Sequence, residues 1–274
     1  MKIAWTTDPH LDHAPVYAFE KWVDQVRSFA PDAVVITGDI SEAEDVVFQL
    51  QRMTEVFRLP VYFVLGNHDF YGKTIAQTRR QVIEVCREDP LLFYLTDCGP
   101  IDLGDGVFLV GEDGWGDATV GDFAGSAVRL RDFDCILDFA DSDPSQWQRM
   151  LAHLGAESAG RLAVKLHAVP TTAREVLIAT HLPPWREACW YEGQISDDHW
   201  APFFVCGQVG GILDRASAER PETMHSVLCG HTHCPGRCDR SSNLVAHTGI
   251  ASYGQPTPTG LIDTDTKPLD LRTR

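Results

Sequence analysis

The sequence predicts an α/β fold, and three observations predict it. Strand, loop and helix patterns follow one another three times in the first ninety residues. Strand-like runs return in the second half. No internal repeat, low-complexity tract or linker of distinct composition interrupts them, so residues 1–274 are expected to form one domain.

Residues 2–7 (KIAWTT) form a short apolar run with a β-branched end and read as a buried strand. Residues 15–29 carry Val16, Phe19, Val23 and Val26 at helical spacing. Residues 33–37 (AVVIT) are a second buried strand. Ser41, with Glu44 three residues on, is expected to open a helix through a capping box, with Val46, Val47, Leu50, Met53 and Phe57 on one face. Pro60 stops it, 61–65 (VYFVL) is a third strand, and a third helix spans about 73–88. This alternation is that of a parallel sheet with crossover helices. Beyond Pro90, short strands are expected at 91–95, 101–103 and 107–111, the last two joined by the Gly-Asp-Gly turn 104–106. Residues 145–154 and 157–169 read as two helices ending at Pro170. Strand character returns at 176–180, 226–229, 244–248 and 260–263, and a helix at about 211–220. Two stretches, about 112–144 and 182–220, read as insertions able to form a cap.

At 274 residues, 44% hydrophobic and 23% charged, the chain is long and apolar enough for a sizeable core, which excludes collagen, a coiled coil and wholesale disorder. Acidic residues number 39 against 23 basic, a formal net charge of −16 that disfavours nucleic acid as a partner. A phosphate substrate stays open, because carboxylates gathered around divalent cations make a locally positive site. No apolar run is long enough for a membrane helix. The start MKIAWTTDPH holds too short an apolar stretch for a secretory signal, so the expected location is cytoplasmic. The eight cysteines then read as reduced thiols, and Cys234, Cys238 and nearby Cys229 fall short of a four-ligand zinc site.

The chemistry sits at strand ends. The five strands that carry it run into Asp8-Pro9-His10, Gly38-Asp39, Gly66-Asn67-His68-Asp69, His181 and Gly230-His231-Thr232-His233. Ligands of open α/β sheets bind at the carboxyl ends of the strands. Any one of these units alone is commonplace: Gly-Asp is most often a turn, and a single strand-end histidine is usually structural. Together they bring carboxylate, amide and imidazole groups to one edge, a set suited to two divalent ions such as Mn, Fe or Zn. Glycine before Asp39, Asn67 and His231 is expected to let the backbone turn sharply there.

The motif series DPH, GD, GNHD, H and GHTH, spanning Asp8 to His233, resembles the calcineurin-like metallophosphoesterases. The resemblance implies a four-layer sandwich of two mixed β-sheets flanked by helices. It implies a dinuclear-metal-dependent hydrolase of phosphate mono- or diesters, with attack by a metal-bridging hydroxide in line with the leaving group and no covalent enzyme intermediate. Asp8, His10 and His233 would hold one metal, Asn67, His181 and His231 the other, and Asp39 would bridge both. His68 would face the substrate phosphate and protonate the leaving oxygen, with Asp69 orienting its ring. The partner is then a small phosphorylated substrate. The competing readings are a non-catalytic metal-binding scaffold, for which no ligand position is missing, and a nuclease of the same fold.

The aromatic cluster Trp185, Trp190, Tyr191, His199 and Trp200 suggests either a stacking lip over the metals or an insertion burying its own rings, and the second reading is favoured. Trp115, Arg129 and Arg131 belong to the opposite insertion, and the turn Ser252-Tyr253-Gly254 is within sequence reach of the site. Asp12 and His13 read as a surface turn. Residues 208–211 are glycine-bearing but lack the lysine and spacing of a P-loop.

Overall fold

The computed structural model describes residues 1–266 and 270–273. The strands are β1 (Lys2–Thr6), β2 (Ala33–Thr37), β3 (Val61–Val64), β4 (Leu92–Tyr94), β5 (Ile101–Asp102), β6 (Val107–Glu112), β7 (Glu175–Thr180), β8 (Trp190–Tyr191), β9 (Gln194–Ile195), β10 (Met224–Cys229), β11 (Gly236–Ser241), β12 (Leu244–Thr248), β13 (Gly260–Asp263) and β14 (Asp270–Thr273). The helices are α1 (Val16–Ser28), α2 (Val46–Phe57), α3 (Ile75–Glu88), the short α4 (Asp132–Cys135) and α5 (Leu137–Ala140), α6 (Trp147–Ala168), the short α7 (Ala201–Phe204) and α8 (Gly207–Glu219).

Two six-stranded sheets result, in the orders β14-β13-β1-β2-β3-β4 and β11-β12-β10-β7-β6-β5. Both are mixed. β1 to β4 run parallel, with β13 antiparallel to β1 and β14 to β13. β12, β10, β7 and β6 run parallel, with β11 and β5 antiparallel at the edges. Strand side chains alternate faces with a period of two, and both faces are buried, so the central strands read as unbroken apolar runs. Ile3, Trp5, Val35 and Val64 of the first sheet meet Leu109, Leu177, Ala179 and Leu228 of the second. The neighbours of these residues point outwards: Ala4, Val34, Ile36 and Phe63 pack under Phe19, Trp22, Leu50, Met53 and Val82 of α1, α2 and α3. Val110, Val176, Ile178 and Val227 pack under Leu162, Leu166 and Leu213 of α6 and α8. The order is helix, sheet, sheet, helix, as the motifs imply.

Three local expectations are corrected. Ser41 caps no helix: its hydroxyl donates to Asp45 (2.9 Å), and α2 begins only at Val46 with no side-chain cap bond. The capping box belongs to α3, where Thr74 Oγ1 accepts from the Gln77 amide (3.2 Å) and Gln77 Oε1 accepts from the Thr74 amide (2.9 Å). The two helices read at 145–154 and 157–169 are one, α6, of 22 residues. Gly155 does not break it, because its missing side chain is needed for space: a Cβ there would lie 2.4 Å from Asp117 Cβ. The third correction adds strands: β11 and β14 at sheet edges and the separate β8–β9 hairpin; β11 (GRCDRS) is largely exposed and polar, so no apolar period-two pattern marks it.

The two sheets are pinned together by Asp113, one residue past β6. Its carboxylate accepts from the Leu65 amide (2.9 Å), Tyr94 Oη (2.6 Å), Thr96 Oγ1 (2.8 Å) and Arg79 Nε and Nη2 (3.1 and 2.8 Å). Its peptide oxygen accepts from the His181 amide at 2.9 Å, so the pin lies directly beneath a candidate ligand. Burial works to raise the Asp113 carboxyl, but Arg79 and these hydrogen bonds hold it below its ordinary 3.8. A depressed carboxyl stabilises the fold fully above its unfolded value and loses that contribution as pH falls through the folded one. This part of the stability is therefore expected to disappear below about pH 4. Asp113→Ala should cost about 2–4 kcal/mol by removing the partner of the half-buried Arg79 guanidinium and of the buried Tyr94 hydroxyl and Leu65 amide. A lowered urea midpoint at pH 7, with the gap to wild type narrowing in acid, is the expected result.

Candidate metal centre

The carboxyl ends of β1, β2, β3, β7 and β10 meet at one rim, and the side chains they deliver converge. His10 Nε2 lies 3.1 Å from His233 Nε2 and 3.6 Å from Asp39 Oδ2, while His233 Nε2 lies 3.5 Å from Asp8 Oδ1. On the other side of Asp39, its Oδ1 is 3.4 Å from His181 Nε2. His231 Nδ1 is 3.2 Å from His181 Nε2 and 3.0 Å from Asn67 Oδ1, and that oxygen is 3.1 Å from His181 Nε2. Two groups with metal-site spacing follow, one of Asp8, His10, Asp39 and His233, the other of Asp39, His181 and His231. Asp39 is common to both, as its two oxygens allow.

The backbone explains the convergence. Asp8, His10, Asp39, His231 and His233 all have positive φ, at 46°, 40°, 50°, 71° and 57°. Left-handed backbone is costly for residues with a side chain and clusters at functional sites. The turning expected of the preceding glycines is thus done largely by the ligands themselves. Of Gly38, Gly66 and Gly230, Gly38 alone is left-handed (φ 88°). Gly66 and Gly230 instead make room: a Cβ would sit 2.2 Å from Asp39 Oδ1 in the first case and 2.0 Å from Asp8 Oδ2 in the second.

The residues present fit a pair of divalent cations. His181 Nδ1 lies 2.8 Å from the Thr37 carbonyl, which fixes the hydrogen on that nitrogen and leaves Nε2 free as a donor to metal. Burial pushes His10 down to about 4 and His231 to about 3, so both rings are neutral with lone pairs available. Burial alone would lower His181 too, but Asp39 and then Asp8 hold it up at about 10. Burial works to raise Asp39, yet its histidine neighbours hold it well below the usual carboxylate range. Two buried carboxylates thus favour positive charge at this site, which divalent cations would supply in place of the His181 proton.

His68 reaches the same cleft. Its amide donates to Asp39 Oδ1 (2.9 Å), its ring stacks on Tyr71 (4.4 Å between centroids), and Nε2 lies 3.5 Å from the Tyr253 hydroxyl. The expected pairing of Asp69 with this ring is corrected. Asp69 is fully buried and accepts from the amides of Ile40, Ser41 and Gly66 at 2.9, 2.9 and 2.8 Å, while His68 Nδ1 has no hydrogen-bond partner among the described residues. Three backbone donors in reach capture the carboxylate, so it ties the β2 and β3 loops together.

The cleft has a volume of about 620 Å³. Besides ligands and His68, it is lined by Leu130, Arg131 and Asp132 from one insertion, Tyr191 and Phe204 from the other, and Tyr253. The insertions pack on each other, with the Ala118 and Asp122 amides donating to the carbonyls of Pro202 (2.9 Å) and Asp198 (2.8 Å). The aromatic cluster divides: Tyr191 lines the cleft, whereas Trp200 packs on Tyr191 and Phe204, and Trp185 is buried beside Gly210. Asp12 and His13 do lie in a turn, from whose tip His13 joins the rim. Sequence reasoning missed Asp132, Tyr71 and Asp113. The first falls in a stretch with no periodicity, and no local signal marks any of them. Among the described residues, no cysteine joins a metal-site group.

Comparison with known proteins follows the same line. The family model for calcineurin-like phosphoesterases matches residues 1–235. A comparison with curated proteins finds no match. Among solved structures, a phosphopantetheinyl hydrolase from Mycobacterium tuberculosis is similar at 13% identity and a TM-score of 0.65, over 93% of this chain and 90% of that one. A dimetal phosphatase from Danio rerio is similar at 15% identity and 0.61, over 96% and 92%. A protein of Thermus thermophilus is similar at 15% and 0.56, over 99% and 98%. At these identities the structures speak to the fold, two large mixed sheets flanked by helices. The family model spans every strand-end motif from Asp8 to His233, and on that ground the chain belongs to the calcineurin-like phosphoesterase family and is a metal-dependent phosphoesterase.

Proposed function

We propose that the chain hydrolyses phosphate esters at a dinuclear centre. Asp8, His10 and His233 would hold one ion, Asn67, His181 and His231 the other, and Asp39 would serve both. The observation that carries this reading is the pair of ligand groups sharing Asp39. A pair of divalent ions, when bound, supplies the charge that clamps a phosphate and makes water nucleophilic at neutral pH. The chain's own residues do the rest. Asn67 contributes a neutral oxygen, so the centre keeps enough positive charge to attract an anion. His68, beside the centre and in contact with the cleft, donates a proton to the departing oxygen. Arg131, exposed at the rim, is the one Lys or Arg among the described cleft-lining residues and guides the anion in. The strand-end ligands and both insertions work as parts of one domain.

Metal-reconstituted protein should hydrolyse mono- or bis-nitrophenyl phosphate. Chelation should abolish that activity and lower the melting temperature, since ions that bind only the folded state stabilise it. Added Mn should restore both. Protein that binds two ions yet leaves every ester intact would be a scaffold, and the reading would fall.

A further inference from the structure

We propose that Asp132, in the 112–144 insertion, is a positioning residue for the ion held by Asn67, His181 and His231. The inference rests on the assignment of Asn67 as a ligand. An asparagine amide has two faces, and only its oxygen can bind a cation; flipped by half a turn it presents an NH2 that a cation repels. Something must therefore hold the amide nitrogen. Asn67 Nδ2 donates to Asp132 Oδ1 at 2.8 Å, and a carboxylate offers acceptors only, so the flipped amide has no partner there.

The holder is itself held. Asp132 is 8% exposed, and the same Oδ1 accepts from Tyr71 Oη at 2.7 Å. Tyr71 is 5% exposed, and its ring stacks on His68. One buried tyrosine thus touches the group that supports a metal ligand and the group that faces the leaving oxygen. The segment bearing Asp132 is stitched to the chain just past Asn67. The Gly72 amide donates to the Cys135 carbonyl (2.7 Å), the Leu137 amide to the Lys73 carbonyl (3.1 Å) and the Ile75 amide to Asp138 Oδ2 (2.7 Å). An insertion that lines the cleft is in this way coupled to the candidate ligand set.

The test is metal binding rather than turnover. Full-length wild type, Asp132→Ala, Asp132→Asn and Tyr71→Phe are stripped and titrated with Mn, with bound ions counted after gel filtration. Wild type should bind two ions tightly. Asp132→Ala should weaken one of them by about 10–100-fold and leave the other unchanged. Asp132→Asn keeps an oxygen where both bonds fall and should restore binding to within about threefold of wild type. Tyr71→Phe keeps the ring and loses one of the two bonds, so about a fivefold loss at the same ion is expected. Adding Asp132→Ala to Asn67→Ala should cost nothing further, because the first acts through the second. If Asp132→Ala does not fold, by circular dichroism, the asparagine and phenylalanine variants decide. Two equally tight ions in folded Asp132→Ala, or equal weakening of both, overturns the proposal. So does Tyr71→Phe at wild-type affinity or a failed asparagine rescue. Wild type binding fewer than two ions would instead sink the dinuclear reading, and this proposal with it.

Discussion

Asp39→Asn is expected to lower kcat/KM for nitrophenyl phosphate esters by about a thousandfold or more. The carboxylate lies between the two ligand groups, 3.6 Å from His10 Nε2 on one side and 3.4 Å from His181 Nε2 on the other. An amide has one oxygen and no charge, so it can serve one ion and not both. The buried Asp8 would then be the remaining carboxylate facing the ions among the described ligands. A loss of several kcal/mol of transition-state stabilisation converts at about 1.4 kcal/mol per decade. The same preparation should bind at most one ion tightly, counted by inductively coupled plasma mass spectrometry. Near-normal activity with two ions retained would show that the groups do not share this residue. The fold should survive, because an asparagine oxygen can still accept from the His68 amide as Asp39 Oδ1 does at 2.9 Å.

His68→Ala separates chemistry from metal binding. Its ring borders the cleft beside His10, at 4.7 Å between centroids, without belonging to either ligand group. Both ions should therefore stay bound while kcat falls by about 10²–10⁴, the usual contribution of a positioned proton donor. The size of the loss should depend on the leaving group. Nitrophenolate departs without a proton and should show the small end of the range, whereas an alkyl ester needs one and should show the large end. An equal loss on both would assign His68 to binding the phosphate rather than to proton transfer. Asp69→Asn should not mimic this pattern, because Asp69 bonds to backbone amides of the β2 and β3 loops and not to the His68 ring.

The legible part of the molecule is the part whose physics is local. Central strands such as Ala33–Thr37 and Leu244–Thr248 have the bounds their sequence predicts, because burial on both faces favours apolar and β-branched residues along most of their length. Edge strands such as Gly236–Ser241 were illegible, since one side faces solvent and imposes no pattern. Ser41 starts no helix, despite the spacing to Glu44. Serine is a strong cap by itself, but here Asp45 takes its hydroxyl at 2.9 Å. At the candidate metal centre the eight strand-end side chains converge on one rim, because a strand's end is where an α/β fold presents groups to a ligand.

Local pattern along the chain set the alternation of strands and helices, the seven central parallel strands and the identity of the polar groups at the strand ends. Those depend on side chains near one another along the chain, where hydrophobic period and residue type suffice. Tertiary packing alone makes Asp69 tie loops instead of a ring, Asp113 lock one sheet to the other, and Asp132 reach Asn67 from sixty-five residues away. A carboxylate bonds to whichever donors the packed chain brings within 3 Å, and that neighbourhood is set by long-range packing.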